Sequence, residues 1–308
     1  MTAKVQTPSD RPVWRSLLYV PANVRKYVEK AHTRGADAIQ LDLEDSVPIA
    51  EKDNARKMVQ EAAEIVSQAG ADVVVRINQP LRMAVRDLEE VVSPRIHAVV
   101  LPKTDSASHI RLLAEVVDEL EAERGMTPGH TLFIALVEDA DAFFRMHEIA
   151  KAHPRMMGIG LGGEDFATSM GAAPDPDIML YPKQHTIIAA RAAGISPLGI
   201  IGTVADYSDM AGMRKIIHNS RRFGFDGASC IHPSVVSALN EGFRPSDEEV
   251  ASAKRVVQGF QAALAEGRAS IEVDGKMIDY PVVERAEKLL ARDTAIRQRE
   301  ARMASLKR

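Results

Sequence analysis

Eight short apolar runs, rich in β-branched residues, recur along the chain between amphipathic stretches. They are SLLYV (16–20), AIQLDLE (38–44), DVVVRIN (72–78), AVVLPK (98–103), TLFIALVED (131–139), MMGIGLGGED (156–165), PLGIIGTV (197–204) and GASCIHP (227–233). Runs of this length are strand-sized. The segments between them, such as VRKYVEKAHTRG, NARKMVQEAAEIVSQAG and SHIRLLAEVVDELEAERG, carry apolar residues at helical spacing, and several close on glycine. Eight strands alternating with helices predict an α/β fold, a closed parallel (β/α)8 TIM barrel. An open doubly wound sheet is the competing arrangement of the same units.

A chain of 308 residues with 45% hydrophobic and 27% charged residues can build such a core without staples. The formal net charge of −4 gives no reason to expect nucleic acid or an anionic membrane as partner. Cys230 is the single cysteine, so neither an intrachain disulfide nor a cysteine-based metal site can form. The opening MTAKVQTPSDRP has no apolar signal-like core, and no 18 consecutive apolar residues occur, so a cytoplasmic protein with no membrane partner is expected.

Beyond His232 and Pro233 the pattern changes. PSDEEVASAKRVVQGFQAALAEG reads as one long helix capped at Ser246, with acids at Asp247, Glu248 and Glu249 that suit a helix N-terminus. ASIEVDGKMIDYP (269–281) reads as a short hairpin or extended loop turning at Asp274 and Gly275, and a charged helix ends the chain. The expected division is a barrel over 12–245 and a helical lid segment over 246–308, packing on the barrel or on a neighbouring subunit.

In a barrel, the C-terminal strand ends share one mouth, and chemistry sits there. Five consecutive runs end in charge: Asp42, Glu44 and Asp45; Arg76 with Asn78; Lys103; Glu138 and Asp139; Glu164 and Asp165. A single charge of this kind is usually a solvated loop residue, but five consecutive strand ends are not explained that way. Arg76, between Val75 and Ile77, requires a buried partner. Carboxylates from two strands, such as Glu138 and Asp165, with water and substrate oxygens, make a magnesium-type site. No HExxH or paired histidine spacing favours zinc, and His232, the one strand-end histidine, suits a core or supporting role. GIGLGG (158–163) formally fits a dinucleotide fingerprint, but acids follow it where a pyrophosphate would have to approach.

In order, RSLLYVPAN, GADAIQLDLEDSVP, VRIN, LPKT, GGEDF, FGFDGASCIHP and DGKMIDYPVVERAEKLL resemble the citrate lyase beta-subunit family of acyl-CoA lyases, within the HpcH/HpaI aldolase superfamily. Malyl-CoA, methylmalyl-CoA and citramalyl-CoA lyases belong to this family, and the match runs from about residue 15 to about residue 292. The resemblance implies a TIM barrel with a C-terminal lid, assembled as a homotrimer or a dimer of trimers. It also implies a magnesium-dependent carbon–carbon cleavage of a hydroxyacyl-CoA thioester, with a keto acid and an acyl-CoA as partners; manganese is the ion that could replace magnesium. Carried over by motif, Glu138 and Asp165 are the metal ligands, Glu44 and Asp45 hold metal-bound water, Arg76 binds substrate oxygen and Lys103 supports the mouth. Gly162, Gly163 and Glu164 complete the substrate-binding set with Asp165, the glycines giving clearance for a keto acid. Asp279 is similar to a lid aspartate that reaches a neighbouring subunit's mouth as acid or base. Three positions depart from the family pattern: Lys183 stands where an Arg is common, Ala228 where a Lys is common, and Asp139 follows Glu138 in place of a small or hydroxyl residue. The metal pair is untouched.

Overall fold

The computed structural model describes residues 11–202 and 208–306. Eight strands form one parallel sheet: β1 (Ser16–Pro21), β2 (Ala38–Asp42), β3 (Asp72–Arg76), β4 (Ala98–Leu101), β5 (Leu132–Val137), β6 (Met156–Leu161), β7 (Ser196–Leu198) and β8 (Ala228–Cys230). The helices of this part are α1 (Arg25–Ala31), α2 (Lys52–Val66), α3 (Leu81–Val91), α4 (Ala107–Glu123), α5 (Ala140–Phe144), α6 (Met146–Ala150), α7 (Gly163–Ser169), α8 (Pro176–Ala193), α9 (Met210–Phe223) and α10 (Val236–Gly242). Neighbours in the sheet run β7-β6-β5-β4-β3-β2-β1-β8. A parallel bridge from Leu198 to Gly227 and the Gly199 N–H donating to the Gly227 carbonyl at 2.8 Å bring the two ends together. The sheet is a nearly closed TIM-type barrel, and the open doubly wound alternative is set aside.

Continuous apolar strands arise because both faces are covered. Leu18, Val20, Ile39, Leu41, Val73 and Val75 point outward into the core under the helices. Leu17, Ala38, Val74, Val100 and Ile134 point inward and fill the bore with Trp14. Closure demands a glycine: a Cβ on Gly227 would lie 2.0 Å from the Trp14 carbonyl oxygen.

The strands stop short of the apolar runs from which they were expected. β2 ends at Asp42, leaving Glu44 and Asp45 in the following loop, and Glu164 and Asp165 fall in the first turn of α7. The seventh run contributes only its first residues to β7, and Thr203 and Val204 lie outside the described residues. Strand pairing ends where parallel neighbours no longer face each other, so the polar tails are free to turn over the mouth.

The chain divides into two compact units between Phe243 and Arg244. In the second, α11 (Asp247–Ala265) begins with a full capping box, Ser246 accepting from the Glu249 N–H while Glu249 accepts from the Ser246 N–H. A two-stranded hairpin, β9 (Ile271–Val273) and β10 (Lys276–Ile278), turns through Asp274 at φ 53° and Gly275 at φ 73°. Positive φ at both central residues is what a tight twisted hairpin needs, and Asp–Gly supplies it. The long α12 (Tyr280–Leu306) packs with α11 and the hairpin around Val256, Phe260, Ile278, Val283 and Ala286. Among the described residues no helix is long and apolar enough to cross a membrane.

Candidate active site

β3 delivers Arg76 to the mouth as its last residue, in register with Asp42 at the end of β2. The two close a fork: Arg76 Nε donates to Asp42 Oδ1 at 2.7 Å and Nη2 to Oδ2 at 2.8 Å. Arg76 Nη1 lies 3.0 Å from Glu44 and 3.3 Å from Asp45, and the guanidinium sits 4.8 Å from the centre of the Tyr19 ring. Burial alone would raise the Asp42 pKa, but the Arg76 hydrogen bonds and charge, with the Ser46 and Glu44 N–H groups, bring it below the usual carboxylate value. The buried arginine has the partner its position required. That partner is Asp42, to which the sequence assigned no role, although a charge at an inward-facing strand position was the available signal.

Lys103 follows β4 with a left-handed backbone, φ 46°, which non-glycine residues adopt only when their surroundings hold them there. The reason is visible on both sides of the residue. Its N–H donates to Glu138 Oε2 at 2.9 Å, while its Nζ meets Glu44 at 2.5 Å, Asp45 at 3.3 Å and Asp165 at 3.9 Å. Burial works against the ammonium, yet the bond to Glu44 and the charges of Glu44, Asp45 and Glu138 raise its pKa. Burial and then Asp45 push Glu44 in the protonating direction.

Glu138, at the end of β5, is 6% exposed and its pKa is pushed up to about 7. Burial is the main cause; Lys103 opposes it, and Asp165 and Glu44 add to it. No Lys, Arg or His nitrogen among the described residues forms an ion pair with Glu138. The carboxylate fits its place only because residue 162 is glycine: a Cβ there would stand 2.5 Å from Glu138 Cγ and 2.6 Å from Oε1. The room at Gly162 is thus taken by Glu138, whereas a Cβ on Gly163 would meet nothing nearer than the Met179 methyl at 3.8 Å. Asp165 and Glu164 are exposed in the first turn of α7, where acids suit the helix N-terminus.

Asp42, Asp45, Arg76, Glu138, Glu164 and Asp165 line one cavity of about 1040 Å³, which also takes in Tyr19, Lys183 and His232, while Glu44 and Lys103 stand behind its wall. Lys183 is buried in α8 and its Nζ donates to the Gly202 carbonyl; burial brings its pKa down to about 8, with Glu164 opposing. His232 Nδ1 lies 2.7 Å from the Ser234 hydroxyl at the start of the turn after β8. Cys230 is buried and its thiol is pushed up to about 12. Asp279 stands in the second unit between β10 and α12, where its carboxylate accepts weakly from the Val282 N–H at 3.4 Å.

The donor set suits a hard divalent cation. Among the described residues no group of three or more His, Cys, Asp or Glu is arranged to hold a metal. A two-carboxylate site completed by water and ligand oxygens is nevertheless the usual form for magnesium. Glu138, buried, short of a cation and facing a second carboxylate, is a group such an ion would satisfy.

The sequence profile of the HpcH/HpaI aldolase/citrate lyase family matches residues 15–233, which hold every strand of the barrel and the whole lining of the cavity. The chain belongs to that family. It is a family of carbon–carbon lyases. Citrate lyase subunit beta of Leuconostoc mesenteroides is 34% identical over 90% of this chain and 92% of its own. A (3S)-malyl-CoA thioesterase of Cereibacter sphaeroides is 32% identical over 92% and 95%. The L-malyl-CoA/beta-methylmalyl-CoA lyase of Rhodobacter capsulatus is 32% identical over 93% and 96%. Among solved structures, the protein CitE from Mycobacterium tuberculosis, in complex with magnesium, acetoacetate and coenzyme A, superposes with a TM-score of 0.70 at 29% identity, covering 92% of this chain and 98% of that one.

Proposed function

We propose that this protein is a magnesium-dependent acyl-CoA lyase that cleaves or forms a carbon–carbon bond in a small 3-hydroxyacyl-CoA of the malyl-CoA, methylmalyl-CoA or citramalyl-CoA type. The observation that carries the reading is Glu138, a buried carboxylate that forms no ion pair with a cationic side chain among the described residues, beside Asp165 and next to a mouth built around Arg76. Glu138 and Asp165 would hold the metal, which when bound polarises the keto-acid oxygens. Lys103 keeps Glu138 in place through its N–H and spans to Glu44, Asp45 and Asp165 through its ammonium. Glu44 and Asp45 are the groups that would orient water around the ion.

Arg76 has five N–H groups. Two close the fork with Asp42 and Nη1 faces Glu44 and Asp45, which leaves one Nη2 N–H for a substrate oxygen. A guanidinium fixed in this way needs no reorganisation when negative charge develops on the thioester oxygen. We assign proton transfer at the hydroxyl to Asp279, brought by a neighbouring copy in a homotrimer or dimer of trimers, so that it acts where water is excluded. Glu164 and Gly163 are assigned to the substrate-facing rim and Gly162 to seating Glu138. A cytoplasmic location follows from the same reading, since CoA thioesters and keto acids are made and used there.

The thioesterase relative supports a second reading, in which the same mouth hydrolyses the thioester. The citrate lyase relatives support a third, a beta subunit needing partner chains. Incubating the pure chain and magnesium with glyoxylate or pyruvate and acetyl-CoA or propionyl-CoA separates them. Condensed thioester is expected. Release of free CoA thiol with a hydroxy acid selects the thioesterase, and no product from any pairing at high enzyme removes the stand-alone lyase.

A further inference from the structure

The bore below the mouth is apolar except for one polar notch. Val100, Ile134, Leu136 and Leu198 line the cavity from β4 to β7, and Val74 of β3 packs in the same apolar cluster. Across from them, β8, β1 and β2 present Ser229, Tyr19 and Gln40 to the same cavity. Gln40 is 1% exposed and lies in register between Tyr19 and Val74, two residues before Asp42 and on the same face. Its Oε1 accepts from the Ser229 hydroxyl at 3.3 Å and its side chain interacts with the Tyr19 phenol, but its Nε2 completes no hydrogen bond of full geometry. Burying an amide donor without a full partner is costly, and an apolar residue at this position would have avoided the cost. A donor held in this way at the wall of a ligand-sized cavity is placed for an acceptor that arrives with the ligand.

We infer that Gln40 is a specificity residue whose amide N–H receives an uncharged oxygen, a hydroxyl or carbonyl, on the carbon chain of the keto acid. The inference rests on the keto-acid reading above, with Arg76 holding the acid's oxygens. Gln40 sits about 7 Å deeper along β2 than Asp42, the residue that fixes Arg76, so it faces the substituent on the keto carbon and not the reacting end. The oxygen is uncharged because Gln40, Tyr19 and Ser229 are neutral. Burial pushes the Tyr19 phenol up to about 12, so it stays protonated, and the guanidinium over the Tyr19 ring, Arg76, already faces Asp42, Glu44 and Asp45, which leaves no surplus positive charge for a second carboxylate. Recognition by a buried donor rejects a ligand lacking the acceptor far more strongly than an apolar wall rejects an extra hydroxyl.

The test compares 3-hydroxypyruvate with 2-oxobutyrate, which match in size and differ in a hydroxyl against a methyl. Isothermal titration of the full chain with magnesium should give at least tenfold tighter binding of 3-hydroxypyruvate, and Gln40→Leu should bring the two acids within about twofold of each other. Equal affinities in the wild-type protein overturn the inference, as does a preference that Gln40→Leu leaves intact. Tighter binding of oxaloacetate than of 3-hydroxypyruvate overturns the choice of an uncharged acceptor. Should Gln40→Leu not fold, Gln40→Met serves in its place, and the wild-type ratio decides by itself. Magnesium-dependent binding of pyruvate without a hydroxyl preference defeats this inference alone, while failure of every keto acid to bind defeats the lyase reading with it.

Discussion

Two carboxylates at the rim are buried almost alike, Asp42 at 1% and Glu138 at 6% exposure, yet their surroundings drive them in opposite directions. Asp42 faces a guanidinium fork and is held below the ordinary pKa; Glu138 accepts one backbone N–H, faces other acids and is pushed up to about 7. Desolvation acts on both, so the difference lies in the compensation. A carboxylate whose charge is already matched serves to position its partner. One whose charge is unmatched is ready for a cation from outside the chain.

Substitutions at the two sites should therefore fail in different ways. Glu138→Gln keeps the shape and removes the charge, and should lower kcat/KM with magnesium by about a thousandfold while leaving the fold intact, as judged by thermal melting. A loss under tenfold would remove Glu138 from the metal pair. Asp42→Asn should reverse the balance: with a buried guanidinium short of its main partner, stability in urea should fall by about 3 kcal/mol, with activity lost as a consequence. If Asp42→Asn proves as stable as wild type, the fork is not what holds Arg76. Gly162→Ala tests the seat of Glu138 directly, since the added methyl would overlap a carboxylate placed 2.5–2.6 Å away. About a tenfold weaker magnesium affinity is expected by titration, with about 1–2 kcal/mol of stability lost to overpacking.

A pH dependence, spread over several pH units and so shallow at any one of them, separates the two residues by its sign. The folded pKa of Glu138 lies above its unfolded value of 4.5, so the metal-free folded state binds the extra proton between 4.5 and about 7. Stability is therefore full below the unfolded pKa and is lost as pH rises through the folded one, by up to about 3 kcal/mol. Asp42, with its pKa lowered, contributes in the other direction, losing stability as pH falls through its folded pKa. Melting curves in chelator across pH 5 to 8 should show a decline that magnesium reverses and Glu138→Gln abolishes. A profile unchanged by Glu138→Gln would falsify the assignment of that slope to Glu138.

The barrel was legible in the chain because its signal is local and repeated: eight apolar runs, each covered on both faces, separated by helical spacing. The hairpin turn at Asp274–Gly275 and the Ser246 cap were legible for the same reason, since each depends on a few adjacent residues and their backbone preferences. The mouth was legible as a set of charges at strand ends, but its wiring was not. Asp42 as the partner of Arg76, Tyr19 under the guanidinium and the strained Lys103 joining two carboxylates all depend on strand register and bore direction. No local pattern encodes these.

By itself the sequence determined which residues were charged and which strands carried them, because periodicity and composition act within a few residues. Only the tertiary structure decided which of those charges are satisfied by each other and which are left for a ligand. Compensation is a matter of distances between strands far apart in the chain. Glu138 and Asp42 read alike as acids at the ends of apolar runs, and only in the barrel does one find an arginine and the other an uncompensated site.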